Sequence, residues 1–115
     1  MNNISLIGRF VADPELRQTN DGISVVTFTL AVDRNFVKKG EERQADFIDF
    51  VAWRGQAEFI CKHFSKADTI GINGSLVTRY YEEKETGKRR KVFEVLVEDI
   101  TFAGRTKKDL EKAAK

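Results

Sequence analysis

Cys61 and His63, the one cysteine and the one histidine of the chain, are where a catalytic pair would have to be sought. A thiol beside an imidazole is a common activated nucleophile. These two stand two positions apart in "AEFICKHF", where apolar residues recur at helical spacing, and residues i and i+2 of a helix do not face each other. With one residue of each type, the repeated Cys/His spacing of a structural zinc site is also missing. The run "GING", Gly71 to Gly74, lacks both the spacing and the lysine of a phosphate loop. No enzyme, metal or cofactor is expected.

The aromatic residues point to a different chemistry. Read as a strand, "ADFIDFVAWRG" (Ala45 to Gly55) puts Ile48, Phe50 and Ala52 on one face. Phe47, Asp49, Val51 and Trp53 take the other, with Arg54 just after. The first set is a core; the second shows two large rings with a carboxylate between them. Phe36 lies in a charged loop near Arg34, Lys38 and Lys39. Tyr80 and Tyr81 follow Arg79 and lead to "KRRK", Lys88 to Lys91. Rings interleaved with cations suit single-stranded nucleic acid, because each unpaired base offers a flat face and each phosphate a charge. Duplex readers place a helix or ribbon in a groove, and no basic helix is evident. Blander readings stand beside this one. Phe47 and Trp53 could cover a helix or a neighbouring subunit, Phe36 could staple its own hairpin, and "KRRK" could be a solvated loop.

The elements that hold these residues are mostly strands. The first spans about Ile4 to Val11, and "NDG" then signals a turn. In "ISVVTFTLAVD", Val26, Phe28, Leu30 and Val32 share a face, as in a half-buried strand. A third strand runs from Asp46 to Trp53. The period then changes: Ala57, Ile60, Cys61 and Phe64 recur at i, i+3, i+4 and i+7, the stripe of an amphipathic helix, which makes Cys61 a packed thiol. A fourth strand covers Thr69 to Tyr81, with Ile70, Ile72 and Leu76 on one face and Gly71 and Gly74 allowing a sharp bend. After the loop "EEKETGKRRK", a fifth strand starts near Val92. Five curved strands with one helix between the third and fourth is the order of an all-β OB-fold, a five-stranded Greek-key barrel. The expected division is a barrel domain at 1–104 and a charged tail at 105–115, flexible or a short helix.

Bulk composition agrees with one soluble domain, 41% hydrophobic and 33% charged. Of 20 basic and 18 acidic residues, positions 104–115 hold five and two, leaving 15 and 16 for the body. A polyanion would therefore be met by local clusters and not by a globally basic surface. No apolar run approaches the roughly 20 residues that cross a bilayer, and no signal peptide is seen. A lone cysteine suits a reducing cytoplasm.

In "LIGRFVADPELR", "VVTFTLAVDRNF", "ADFIDFVAWRGQAE", "GSLVTRYYE" and "FEVLVEDITF", in that order, the chain resembles the bacterial single-stranded DNA-binding protein family from Met1 to about Gly104. The resemblance implies an OB-fold protomer, a homotetramer in the cytoplasm at the nucleoid, and sequence-tolerant binding of single-stranded DNA in replication, recombination and repair. It places base stacking on Phe36, Phe47, Trp53 and Tyr81, the last because it follows Thr78 and Arg79 at the family's spacing. It places phosphate contacts on Arg9, Arg17, Arg54 and Arg79, with Lys88, Arg89, Arg90 and Lys91 in the adjoining loop. Two departures are visible. The sequence closes on "KDLEKAAK", not on the family's acidic, phenylalanine-ended tip, so recruitment of repair and replication proteins through that tip is not expected. A tail-less relative serving DNA uptake, or an OB-fold interaction module of primosome-restart type, is the alternative. Asp49 is the second departure: between stacking rings it should face a base edge or a cation.

Overall fold

The computed structural model describes residues Met1 to Ala113, and side chains as far as Glu111. The elements run β1 (Ile4–Phe10), β2 (Arg17–Gln18), β3 (Ser24–Asp33), β4 (Ala45–Trp53), α1 (Arg54–His63), β5 (Thr69–Glu82), β6 (Arg89–Phe102) and α2 (Lys107–Ala113). The sheet order is β1-β5-β6-β4-β3-β2, and β1 pairs with β3 as well, so the five long strands close on themselves. β4 and β6 run parallel, while the other pairings are antiparallel. This is the expected five-stranded OB-fold barrel with its helix between the third and fourth long strands. The two-residue β2, too short to show any period, flanks β3.

Alternation builds the interior. Val26, Phe28 and Leu30 of β3 face Ala52, Phe50 and Ile48 of β4 in direct register. Phe10, Phe28 and Phe50 form a run of rings with centroids 5.1 and 5.3 Å apart, each contact worth about 0.5–1.5 kcal/mol beyond its buried area. Helix α1 closes one end with Ala57 and Ile60, and Phe64 follows at its C-terminus, all buried.

Closure requires two backbones to approach closely at Gly74. A Cβ there would lie 2.0 Å from the Leu96 carbonyl oxygen. At the same place the register slips: Asn73 pairs with Asp99 and Gly74 with Val97, leaving Glu98 as the extra residue of a bulge. The bulge switches which side chains of β6 point inward. Val95 and Val97 do so before it; Ile100, paired with Ile72, does so after it, and Phe102, paired with Ile70, stacks on Phe64 at the barrel end while staying exposed.

Two strand expectations need correction. Three of the four residues of "KRRK" are strand, because β6 begins at Arg89 and not at Val92, and Lys88 alone stays in the loop. Glu82 pairs with Arg89, Tyr81 with Arg90 and Tyr80 with Lys91, and the Glu83 N–H donates to the Lys88 carbonyl at 2.9 Å. Leu76 is exposed despite sharing parity with Ile70 and Ile72. From Val77 outward β5 has left β1, and β6 meets β4 only at Val95 and Leu96. The outer half of this hairpin is thus a two-stranded arm, whose base lines clefts with β3 and β4 through Arg79 and Val92.

Beyond the barrel, α2 docks on α1. Thr106 is buried and accepts the Asp109 N–H on its hydroxyl at 3.2 Å, capping the new helix. The Lys107 N–H donates to Asp68 at 2.9 Å, and Lys108 Nζ donates to the carbonyls of Cys61 and Lys62 at 2.9 and 3.0 Å. A cation on the last carbonyls of α1 answers its dipole. The segment after Gly104 is therefore a short helix as far as Ala113; Ala114 and Lys115 of the expected tail lie outside the described residues. Burial pushes the Cys61 thiol up in pKa, with Lys108 opposing, while His63 packs on Phe59 and Phe102.

Candidate nucleic-acid interface

The outward face of β4 carries Phe47, Asp49, Val51 and Trp53 at alternate positions, each about 7 Å from the next. Antiparallel pairing extends each into a row across the barrel. Arg9, Ala31 and Phe47 form the first row; Thr29 and Asp49 the second; Arg17, Val25 and Trp53 the last. Phe47 is 71% exposed and Trp53 43%. Both rings therefore stand clear of the core, about 20 Å apart along the strand by its rise per residue. Val51, between them, is buried on the floor of a cleft also lined by Arg17, Thr27, Trp53, Arg79 and Glu94.

Tyr80 and Tyr81 fall on opposite faces of the arm. Tyr81 shares parity with Arg79 and lies opposite Arg90, on the side that continues to Glu94 and Val77. Tyr80 lies opposite Lys91 on the other side, under the Arg89 guanidinium at 4.1 Å. The arm thus puts Arg90 on one face and Arg89 and Lys91 on the other. Phe36 projects from the β3–β4 connection at 80% exposure. That loop is pinned at its base, where Arg34 grips Asp46 through Nε and Nη2, and the Arg34 N–H donates to the Gln44 carbonyl at 2.9 Å. The hydrogen bonds and charge of Asp46 raise the Arg34 pKa further above its already high value.

Several of the nominated cations are held by acids. Arg79 Nε donates to Glu94 Oε1 at 3.0 Å, and Glu94 is buried. Arg90 pairs with Glu83 at 2.8 Å and Arg9 approaches Asp33 at 3.9 Å. Arg17 donates to the Thr27 hydroxyl at 3.1 Å. Arg17, Arg54, Lys88, Arg89 and Lys91 have no carboxylate within 4.0 Å among the described residues. Arg54 adopts φ +57 where β4 turns into α1, a left-handed conformation that costs a non-glycine residue roughly 1–2 kcal/mol. Thr29 and Glu94 did not stand out in the sequence, although strand parity alone puts both on the outward face.

A closed five-stranded barrel whose outer wall displays rings beside cations belongs to the oligonucleotide- and oligosaccharide-binding barrels. The chain is a member of the Single-strand binding protein family, which it matches over residues 1–103. It is 48% identical over 102 residues to a single-stranded DNA-binding protein of Bacillus cereus, an alignment covering 89% of this chain and 59% of the relative. It is 46% identical to single-stranded DNA-binding protein 1 of Staphylococcus aureus and to single-stranded DNA-binding protein A of Bacillus subtilis, again over 89% of this chain, and over 65% and 59% of those relatives. The chain thus spans about three fifths of the length of the curated relatives it matches.

Proposed function

We propose that this chain binds and protects single-stranded DNA, whatever its order of bases, in replication, recombination and repair. The observation that carries this reading is the exposure of Phe47 and Trp53 on the outward wall of β4, in rows that begin at Arg9 and Arg17. Bases lie on Phe36, Phe47, Trp53 and Tyr81. Phosphates are met by Arg9, Arg17, Arg54 and Arg79, and by Lys88, Arg89, Arg90 and Lys91 along the arm. Stacking of this kind is worth about 1–3 kcal/mol per base and tolerates any base, because every base has a flat face. The relatives' names support the same ligand. Trp53 is the only tryptophan, so titration with oligo(dT) tests the reading directly. Saturable quenching of its fluorescence is expected; an unchanged signal together with no mobility shift would remove Trp53 and its groove from the site.

The protein works as a homotetramer in the cytoplasm, at the nucleoid. Ile7 is 63% exposed on the outer side of the β1–β5 pair beside Gly71, Asn73 and Thr101, an apolar surface that a second subunit would cover. No helix among the described residues is long and apolar enough to cross a membrane. Light scattering of the free protein should report four chains per particle, and a monomer at all concentrations would overturn the assembly.

A further inference from the structure

We propose that Asp49 biases this interface toward bases that carry an exocyclic amino group, cytosine over thymine in particular. The inference rests on the single-stranded DNA reading above and refines it.

A carboxylate on a DNA-binding wall repels phosphates and weakens binding unless it serves another contact. Holding a cation would be such a service, but none reaches it: Arg17 and Arg79 line the same cleft of about 300 Å³ as Asp49, yet no Lys or Arg nitrogen lies within 4.0 Å of it among the described residues. Arg79 is engaged with Glu94 and Arg17 with Thr27. Asp49 is instead held by Thr29, its direct partner in the ladder, whose hydroxyl donates to Oδ1 at 2.7 Å. That bond fixes the side chain and leaves Oδ2 without a protein donor among the described residues.

Phe47 is the next outward residue along β4, one pleat repeat away, about 7 Å. The proposal places an edge of a base stacked on Phe47 against Oδ2. Ionised carboxylates only accept hydrogen bonds. Cytosine presents the N4 amino group as a donor, and adenine its N6 amino group, whereas thymine presents the O4 acceptor and a methyl group at the corresponding position. The fixed acceptor rewards the first kind of edge and repels the second. Binding remains tolerant of sequence, with a tilt in base composition set by one side chain.

The test compares oligo(dC) and oligo(dT) of equal length at one salt concentration, using the full chain, Asp49→Ala and Thr29→Val. The parent should favour oligo(dC) relative to Asp49→Ala, with the ratio of the two affinities moving by about tenfold. Oligo(dT) should bind Asp49→Ala as well as the parent or better, because a repelling charge is gone. Thr29→Val keeps the carboxylate but frees it, so its ratio should move the same way by less. An unchanged ratio in Asp49→Ala, or equal shifts for both oligomers, would reduce Asp49 to a mere charge and overturn the proposal. Should Asp49→Ala fail to melt cooperatively, the ratio for Thr29→Val decides, and no movement there overturns it. A parent that binds neither oligomer would remove the DNA reading itself, and this inference with it.

Discussion

A Phe47→Ala/Trp53→Ala double variant should melt like the parent and bind oligo(dT) about 2–6 kcal/mol more weakly, at least roughly thirtyfold. The size follows from losing two stacking platforms, each worth about 1–3 kcal/mol by truncation. Preservation of the fold follows from where the rings sit. Neither belongs to the buried cluster of Phe10, Val26, Phe28, Leu30 and Phe50. Trp53 precedes α1 in an extended conformation, and its side chain makes no capping hydrogen bond, so the helix start does not depend on the indole. The strands lose only the modest preference of large rings for a pleated surface, within about 1 kcal/mol for a substitution of this kind. Since the variant has no tryptophan, binding is read by anisotropy of a labelled oligonucleotide and folding by a thermal melt. A collapsed melting transition would show that the rings hold the barrel together and would withdraw them from the interface.

The second large effect concerns the barrel seam. Gly74→Ala places a Cβ 2.0 Å from the Leu96 carbonyl oxygen and 3.0 Å from its carbon. Both atoms are backbone, so no side chain can swing aside, and β5 must separate from β6 at the bulge. Overpacking of this kind costs about 3 kcal/mol, roughly 12 °C in melting temperature for a domain of this size. Gly55→Ala is the control: a Cβ there meets nothing within 4 Å. An unaltered melt for Gly74→Ala would mean that the strands close without this close approach.

Much of this architecture was legible because period-2 alternation survives wherever one side of a strand is buried. It identified Val26, Phe28 and Leu30 as interior and left Phe47 and Trp53 outside. Alternation tells which face a residue takes, not whether anything covers that face. Leu76 therefore has the parity of Ile72 but not its burial, because the barrel ends between them. The start of β6 was not legible from charged residues that carry no period: Arg89, Arg90 and Lys91 are strand because Glu82, Tyr81 and Tyr80 pair with them. The Arg79–Glu94 and Thr29–Asp49 contacts link residues 15 and 20 positions apart. They depend on register, which no local pattern in either segment fixes. Glu98 has the parity of Glu94 and Leu96 in the sequence, and only closure makes it the bulge.

The arm formed by the outer halves of β5 and β6 sets a limit on how fixed the footprint of this protein can be. From Val77 to Glu82 and from Arg89 to Phe93 the two strands have no ladder partner but each other among the described residues, and an isolated two-stranded ribbon is marginally stable in water. A strand of DNA stacked on Tyr81, as proposed above, would follow the direction of this arm. On the proposed reading, the length of strand that one barrel covers would then depend on how this arm is held, and would not be fixed by the barrel alone.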